Sequence, residues 1–383
     1  MKYLVLLGDG MADEPLDELG GKTPLEYART PHMDRVAREG KCGLLSTVPP
    51  GFEAGSDIAN LSILGYDPAR YYTGRGPLEA ASLGIRLEQE DVAYRCNLVT
   101  VEQGIMQDFT SGHISSSEGR ALFAALSATI RGVSLYPGMS YRNLLVVSGG
   151  KGAVTTPPHD IVGQEIQPHL PTGPDATLLR RAIEESARVL ADHPVNRDRI
   201  NAGKLPATLV WPWSGGKKPL LPTFREKYGR TGAMISAVDL LKGIATYAGM
   251  KVITVPGATG FLDTDYQAKA RYALKVLQDV DFVYVHVEAP DEAAHMGNLE
   301  EKIRAIEAFD GVVGTVLANF DGVLTVLPDH PTPLRIKTHT HDPVPFAVWG
   351  KGKDGCIAFS EREAARGSLG HMKALDLLSY LFQ

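Results

Sequence analysis

Residues 265–329 read DYQAKARYALKVLQDVDFVYVHVEAPDEAAHMGNLEEKIRAIEAFDGVVGTVLANFDGVLTVLPD. Two apolar runs, DFVYVHVEA (281–289) and GVLTVLPD (322–329), alternate with the amphipathic helical patterns of 265–280 and 298–320. A strand apolar on both faces must be covered on both. Strands alternating with amphipathic helices therefore predict an open parallel sheet with helices on either side. Working outward, KYLVLLGDG (2–10) repeats the pattern as a buried strand ending at Asp9, and TPHMDRVAREG (30–40) follows as a short helix that Gly40 ends. KVITVPGATG (251–260) adds a further expected strand. In such sheets ligands lie beyond the carboxyl ends of the strands.

The middle of the chain breaks the pattern. Shorter strand-like pieces, DVAYRCNLVTV (91–101) and YRNLLVVSGG (141–150), surround one helix (116–130), and a proline-rich passage covers 155–175. The expected organisation is an α/β domain in two parts, 1–72 and 175–383, interrupted by a smaller α+β domain over 73–174.

Composition narrows the function classes. With 383 residues, 44% hydrophobic and 22% charged, the chain reads as a soluble globular protein. A formal charge of −6 leaves no basic footprint for nucleic acid or an anionic membrane, so an anionic substrate must be caught by local cations. The first apolar run is too short for a signal peptide or a membrane span. Cys42, Cys96 and Cys356 are odd in number and lack metal-ligand spacing, which points to reduced thiols and a cytoplasmic protein. Oligomeric state is left open.

Polar clusters stand where strands should end: Asp9, Asp291 with His295, Asp329 with His330, and His339 in KTHTHDPVPF. Asp291 and His295 are four apart, so a helix starting there projects both from one face. Alone, each has an ordinary reading as a cap, a turn former or a satisfied polar residue. Together, three carboxylates and three imidazoles are mutually costly unless cations gather them. Mixed oxygen and nitrogen donors suit Mn2+, Zn2+ or a similar first-row ion, and six groups populate two sites with positions open for a substrate oxygen. A nucleophile is sought in GFEAGSDIANLSILGYDP (51–68), where Ser56 follows Gly55 and opens a helix whose first amides could receive a phosphate. The competing reading of Ser56 is a helix cap.

LLGDGMAD, GSDIANLSILGYDP, YYTGRGPLEA, EAPDEAAHMGN, PDHPTP and HTHDPVPF, in this order and nearly end to end, resemble the short, archaeal-type cofactor-independent phosphoglycerate mutases of the alkaline phosphatase superfamily. The resemblance implies a metal-bearing phosphatase-like domain, an inserted substrate domain that closes over glycerate, and a transiently phosphorylated serine. It implies two divalent ions, Mn2+ in the first place with Zn2+ or Co2+ as alternatives, and no bisphosphoglycerate. One ion would be held by Asp9, Ser56, Asp329 and His330, the other by Asp291, His295 and His339. His339 is taken over His341 because the family motif begins at the first His of HTHDPVPF. By the same motifs, Arg75, His113, Arg142 and Lys227 would bind the phosphoglycerate substrate. The long-form run that carries a substrate-domain acid is absent, and His159 and Asp160 of TTPPHD stand where that role could fall. The rival within enzymes is a phosphatase or a phosphotransferase on another small hydroxy acid, such as a homoserine kinase. The rival outside enzymes is a binding protein that kept the fold.

Overall fold

Tyr3–Gly8, buried along its whole length, is central in an eight-stranded sheet. The order across that sheet is His371–Lys373, Lys41–Ser46, Val344–Trp349, Val323–Leu327, Tyr3–Gly8, Phe282–Val287, Gly232–Ile235 and Lys251–Val252. All run parallel except Val344–Trp349, which is antiparallel to both neighbours. The register pairs Gly8 with Val287 and Leu7 with Leu327, so three adjacent strands end at one level of the sheet. Asp9 follows one of those ends directly, and Asp329 follows another after Pro328. Asp291 lies one helical turn beyond the third.

The helices form where side chains cap them and bury one stripe. Asp265 accepts from the Ala268 amide at 2.8 Å and starts Tyr266–Val276; Asn298 accepts from the Glu301 amide at 3.1 Å and starts Leu299–Leu317. Ala270, Ala273, Phe309, Val313 and Val316 from these helices pack with Leu4, Leu6, Val283 and Val285 on one face of the sheet. On the other face the Phe282 ring stacks on Phe224 and meets Phe382 of the terminal helix Ala374–Phe382 edge-on. Both faces are thus covered, as continuous apolar strands require. The strand expected over 251–260 shrinks to the exposed pair Lys251–Val252 at the sheet edge. Pro256 brings no amide hydrogen to extend it.

The computed structural model describes residues 1–383 and divides into two units, Met1–Tyr72 with Leu221–Gln383, and Thr73–Leu220. The second unit is built on an antiparallel sheet. Its long strand Val92–Glu102 pairs with Ile105–Asp108, Arg142–Val147 and Leu209–Lys217, and Ser134–Met139 completes the other edge.

The expected end of the inserted domain at residue 174 is corrected by this packing. The helix Ala176–Ala191 places Leu179, Ala182 and Leu190 in one cluster with Tyr94 and Leu98, and Leu209–Lys217 closes the sheet against Val92–Glu102. Residues 175–220 therefore belong with the second unit. A helix followed by a strand reads locally like the grammar of the large sheet. The partner strand, more than a hundred residues earlier, decides otherwise. No helix is long and apolar enough to cross a membrane.

Candidate active site

The site in the first unit is assembled from strand ends. Asp9 leaves Tyr3–Gly8 fully buried, and Asp329 and His330, both fully buried, follow Val323–Leu327. The short helix Ala289–His295 carries Asp291 near its start and His295 at its end, on one face as their spacing requires. Gly10 turns the chain with φ +62°, and a Cβ there would run into Asp291 Oδ1 and Thr332 Oγ1. Its amide donates to Asp329 Oδ1 at 3.2 Å. Glycine is needed at this turn for backbone conformation and for space.

Ser56 is the first residue of the helix Ser56–Ile63, and Gly55 before it is ordinary extended chain at φ 179°. Ser56 Oγ donates to Asp9 Oδ2 at 3.4 Å and lies 3.1 Å from His330 Nε2. His295 Nε2 lies 3.1 Å from both Asp291 Oδ2 and His339 Nε2. His339 Nε2 is 3.6 Å from Asp291 Oδ1, whereas His341 turns away to Phe52 O at 2.8 Å.

Protein groups alone leave this cluster in electrostatic conflict. Burial, then the neighbouring Asp329 and Asp291 charges, push the Asp9 carboxyl well above its ordinary range. Burial opposes ionisation of Asp291 too, but the imidazoles of His295 and His339 overcome it and hold that carboxyl well below its ordinary range. Burial lowers His295, yet the Asp291 contact outweighs it and raises the imidazole to about 9. Burial pushes His330 down.

The residues fit divalent cations. Donor atoms of Asp9, Asp329 and His330 lie within 4.8 Å of one another, and so do those of Asp291, His330 and His339. Asp9 Oδ1 is buried with no hydrogen-bond partner, an acceptor that a cation would satisfy. The two groups share His330, so two ions held here would be neighbours.

Four residues that the sequence reading missed support these groups. His286, buried inside Phe282–Val287, brings Nε2 to 3.0 Å from Asp9 Oδ2, although the angle forms no hydrogen bond. Thr332 donates to Asp291 Oδ1 at 2.5 Å and lies 3.2 Å from His330 Nδ1. Asn60 donates to Asp329 Oδ2 at 2.8 Å and accepts from Tyr284 at 2.5 Å. Asn60 was findable, since it stands one helical turn after Ser56. The fourth is Lys302.

Lys302 and Asp13 have fully buried side chains, and the ammonium donates to Asp13 Oδ2 at 2.8 Å, Thr332 O at 2.9 Å and Ala12 O at 3.3 Å. This ties the loop after Asp9 to the loop after His330. Lys302→Met should strand a buried carboxylate and destabilise the chain by about 3–5 kcal/mol. The measurement is the denaturant midpoint. An unchanged midpoint would show that the pair is not holding the loops.

A third donor group, Cys42, Asp354 and Cys356, also comes together, which residue spacing did not anticipate. Asp354 spends both oxygens on backbone amides, those of Cys42 and Ser368 at 2.8 Å and Cys356 at 3.2 Å, and so fastens its loop to Lys41–Ser46.

The expected substrate residues fall in different places. Arg75 opens the helix Arg75–Ser82, Arg142 opens Arg142–Val147, and His113 sits at φ +50° in a loop held by Asp108, whose Oδ1 accepts from the Thr110 and Gly112 amides. His159 lies 3.6 Å from Asp160 Oδ1 and meets the Trp213 and Phe109 rings edge-on. All of these belong to the second unit. Lys227, in the first unit, sits over the rings of Tyr66 and Tyr228.

Comparison with known proteins now decides the family. A 2,3-bisphosphoglycerate-independent phosphoglycerate mutase from Methanothrix thermoacetophila is 54% identical to this chain, covering 100% of the chain and 99% of that protein. The chain belongs to the 2,3-bisphosphoglycerate-independent phosphoglycerate mutase family. The family profile itself matches residues 37–196. The solved cofactor-independent phosphoglycerate mutase of Thermoplasma acidophilum superposes with TM-score 0.69 at 30% identity, over 100% of this chain and 99% of that one. A solved Pyrococcus horikoshii protein superposes with TM-score 0.87 at 33% identity, over 99% and 96%. The motif resemblance and the α/β fold expected of this mutase family are therefore both shown.

Proposed function

We propose that the chain interconverts 3-phosphoglycerate and 2-phosphoglycerate without a bisphosphoglycerate primer, through a phosphoserine on Ser56. The observation that carries this reading is the position of Ser56 Oγ. In a chain of this family, it stands at a helix start 3.4 Å from Asp9 Oδ2 and 3.1 Å from His330 Nε2. Asp9, Ser56, Asp329 and His330 would hold one divalent ion, and Asp291, His295 and His339 the other, with Mn2+ favoured and Zn2+ or Co2+ as alternatives. When bound, such ions would neutralise phosphoryl charge and favour the serine alkoxide.

The chain's own residues do the rest. Ser56 presents its proton to Asp9 Oδ2, and the first amides of Ser56–Ile63 face the incoming phosphoryl oxygens. The substrate P–O bond breaks as the bond to Ser56 Oγ forms, and the glycerate oxygen that leaves takes up a proton. The other glycerate hydroxyl then gives up its proton and takes the phosphoryl group back. Arg75, His113, Arg142 and Lys227 are assigned to holding the substrate anions, because an arginine fork can pair with carboxylate or phosphate at two points. His159 and Asp160 are assigned to the hydroxyl proton, a role supported by their 3.6 Å approach.

The test is incubation of the purified chain with 3-phosphoglycerate and Mn2+, without primer or ATP, following 2-phosphoglycerate and free phosphate. Isomerisation should dominate. Arg142→Ala, which removes one charge-assisted contact to glycerate, should lower isomerisation roughly ten- to hundredfold while phosphate release falls much less. A wild type that mainly hydrolyses, or an unchanged product ratio in the variant, would leave a phosphatase. A requirement for ATP would leave a kinase.

A further inference from the structure

Cys42 and Cys356 stand near opposite ends of the chain, and no role above uses either thiol. Cys42 is the second residue of Lys41–Ser46, and Cys356 lies in the loop that follows Val344–Trp349, the strand paired with it. That loop returns alongside the start of Lys41–Ser46, where the Asp354 amide donates to Gly40 O at 3.0 Å. One carboxylate then fixes both cysteines. Asp354 Oδ2 accepts from the Cys42 amide at 2.8 Å, and Oδ1 accepts from the Cys356 amide at 3.2 Å. The two sulfurs, both on buried residues, lie within 4.8 Å of one another.

Backbone bonds, rather than the sulfurs themselves, hold this pair together. Each thiol makes only a weak contact, Cys42 Sγ donating to Ala37 O at 4.0 Å and Cys356 Sγ to Glu363 O at 3.5 Å. Both carbonyls also accept from backbone amides, those of Gly40 at 3.4 Å and Arg366 at 3.0 Å. Loss of the two S–H groups therefore strands no acceptor. Burial raises both thiols above their ordinary range, so neither is readily ionised. A disulfide carries no charge and suits the same place. Asp354 already faces three amides, those of Cys42, Ser368 and Cys356, which makes it a poor third ligand and favours a bond between the sulfurs over a bound ion. Gly355, between Asp354 and Cys356, sits at φ +103° with open space beside it. That gives the loop room to close the remaining distance to the roughly 2.05 Å of an S–S bond.

We propose that Cys42 and Cys356 are an oxidative modification site, a dithiol that closes to an intramolecular disulfide with a small-molecule disulfide as oxidant. Cys356, in the loop, gives up its proton and attacks one sulfur of the oxidant, displacing the first thiolate. Cys42 then gives up its proton and attacks the Cys356 sulfur, displacing the second. The two protons pass to the two thiolates released. The chain loses two electrons and the oxidant gains them. This site is independent of the phosphoglycerate reading.

The test incubates the folded, full-length chain with oxidised glutathione at about pH 8.5, where ordinary thiols begin to ionise, then denatures it in acid and counts thiols. The wild type starts with three free thiols and should fall to one. Peptide mapping should find Cys42 linked to Cys356, and Cys96, buried in the second unit, still reduced. The melting temperature should rise by about 5 °C, because a link between distant positions constrains the unfolded chain, and dithiothreitol should reverse the rise. Cys356→Ser should form no internal link and show no rise. Three thiols retained after prolonged incubation, glutathione attached to single cysteines with no internal link, or a link that involves Cys96 would each overturn the proposal. So would a melting temperature that falls on oxidation, since the folded pair would then be strained by the bond rather than prepared for it. An equal rise in Cys356→Ser would place the stabilisation elsewhere and overturn it as well.

Discussion

Ser56→Ala is expected to abolish both isomerisation and any phosphate release, by on the order of 10^6-fold, the scale on which loss of an enzyme nucleophile acts. The fold should survive. Ser56 is half-buried at the start of its helix, and its hydroxyl reaches only Asp9 and His330. Asn60 still donates to the Ser56 carbonyl and to Asp329, so the helix stays fastened to the strand end. Rapid quenching of the wild type with labelled substrate should leave label on a peptide containing Ser56. Label found only on a histidine, or substantial turnover by the variant, would remove Ser56 from the mechanism.

Chelation should have the second large effect. Removing divalent ions leaves Asp9, Asp291 and Asp329 to repel one another, a conflict visible in the raised Asp9 carboxyl. Turnover should vanish and return with Mn2+, Co2+ or Zn2+. A ligand that binds only the folded chain adds about 4 kcal/mol at a thousand times its dissociation constant, so chelation should also lower the melting temperature. Acid should mimic chelation. His295 holds its proton up to about 9 when only protein groups surround it, and a ligand must give that proton up. Ion affinity should therefore fall about tenfold for each pH unit below that value, from this one proton. Full turnover after metal removal verified by elemental analysis, or a melting temperature indifferent to chelation, would sink the two-ion reading.

Much of this was legible along the chain. Continuous apolar runs ending in Asp9 and Asp329 report strands buried on both faces, because only such strands stay apolar at every position. The spacing of Asp291 and His295 reports one helical face, and the structure delivers that helix. Motif order was sufficient for the family, which the relatives then showed.

Sequence alone determined the central strands of the large sheet, the helices between them, their polar ends and the family, because burial and local conformation leave a periodicity in a single segment. Tertiary structure decided which elements meet. Strand order brought Tyr3–Gly8 between Phe282–Val287 and Val323–Leu327, partners far apart in the chain, and so gathered three carboxylates. It recruited His286 and Thr332, turned His341 away, brought the free thiols of Cys42 and Cys356 near one another, and drew Leu209–Lys217 and its helix into the second unit. Such meetings are fixed by pairing and packing between distant segments, and no local pattern records which distant segment will be the partner.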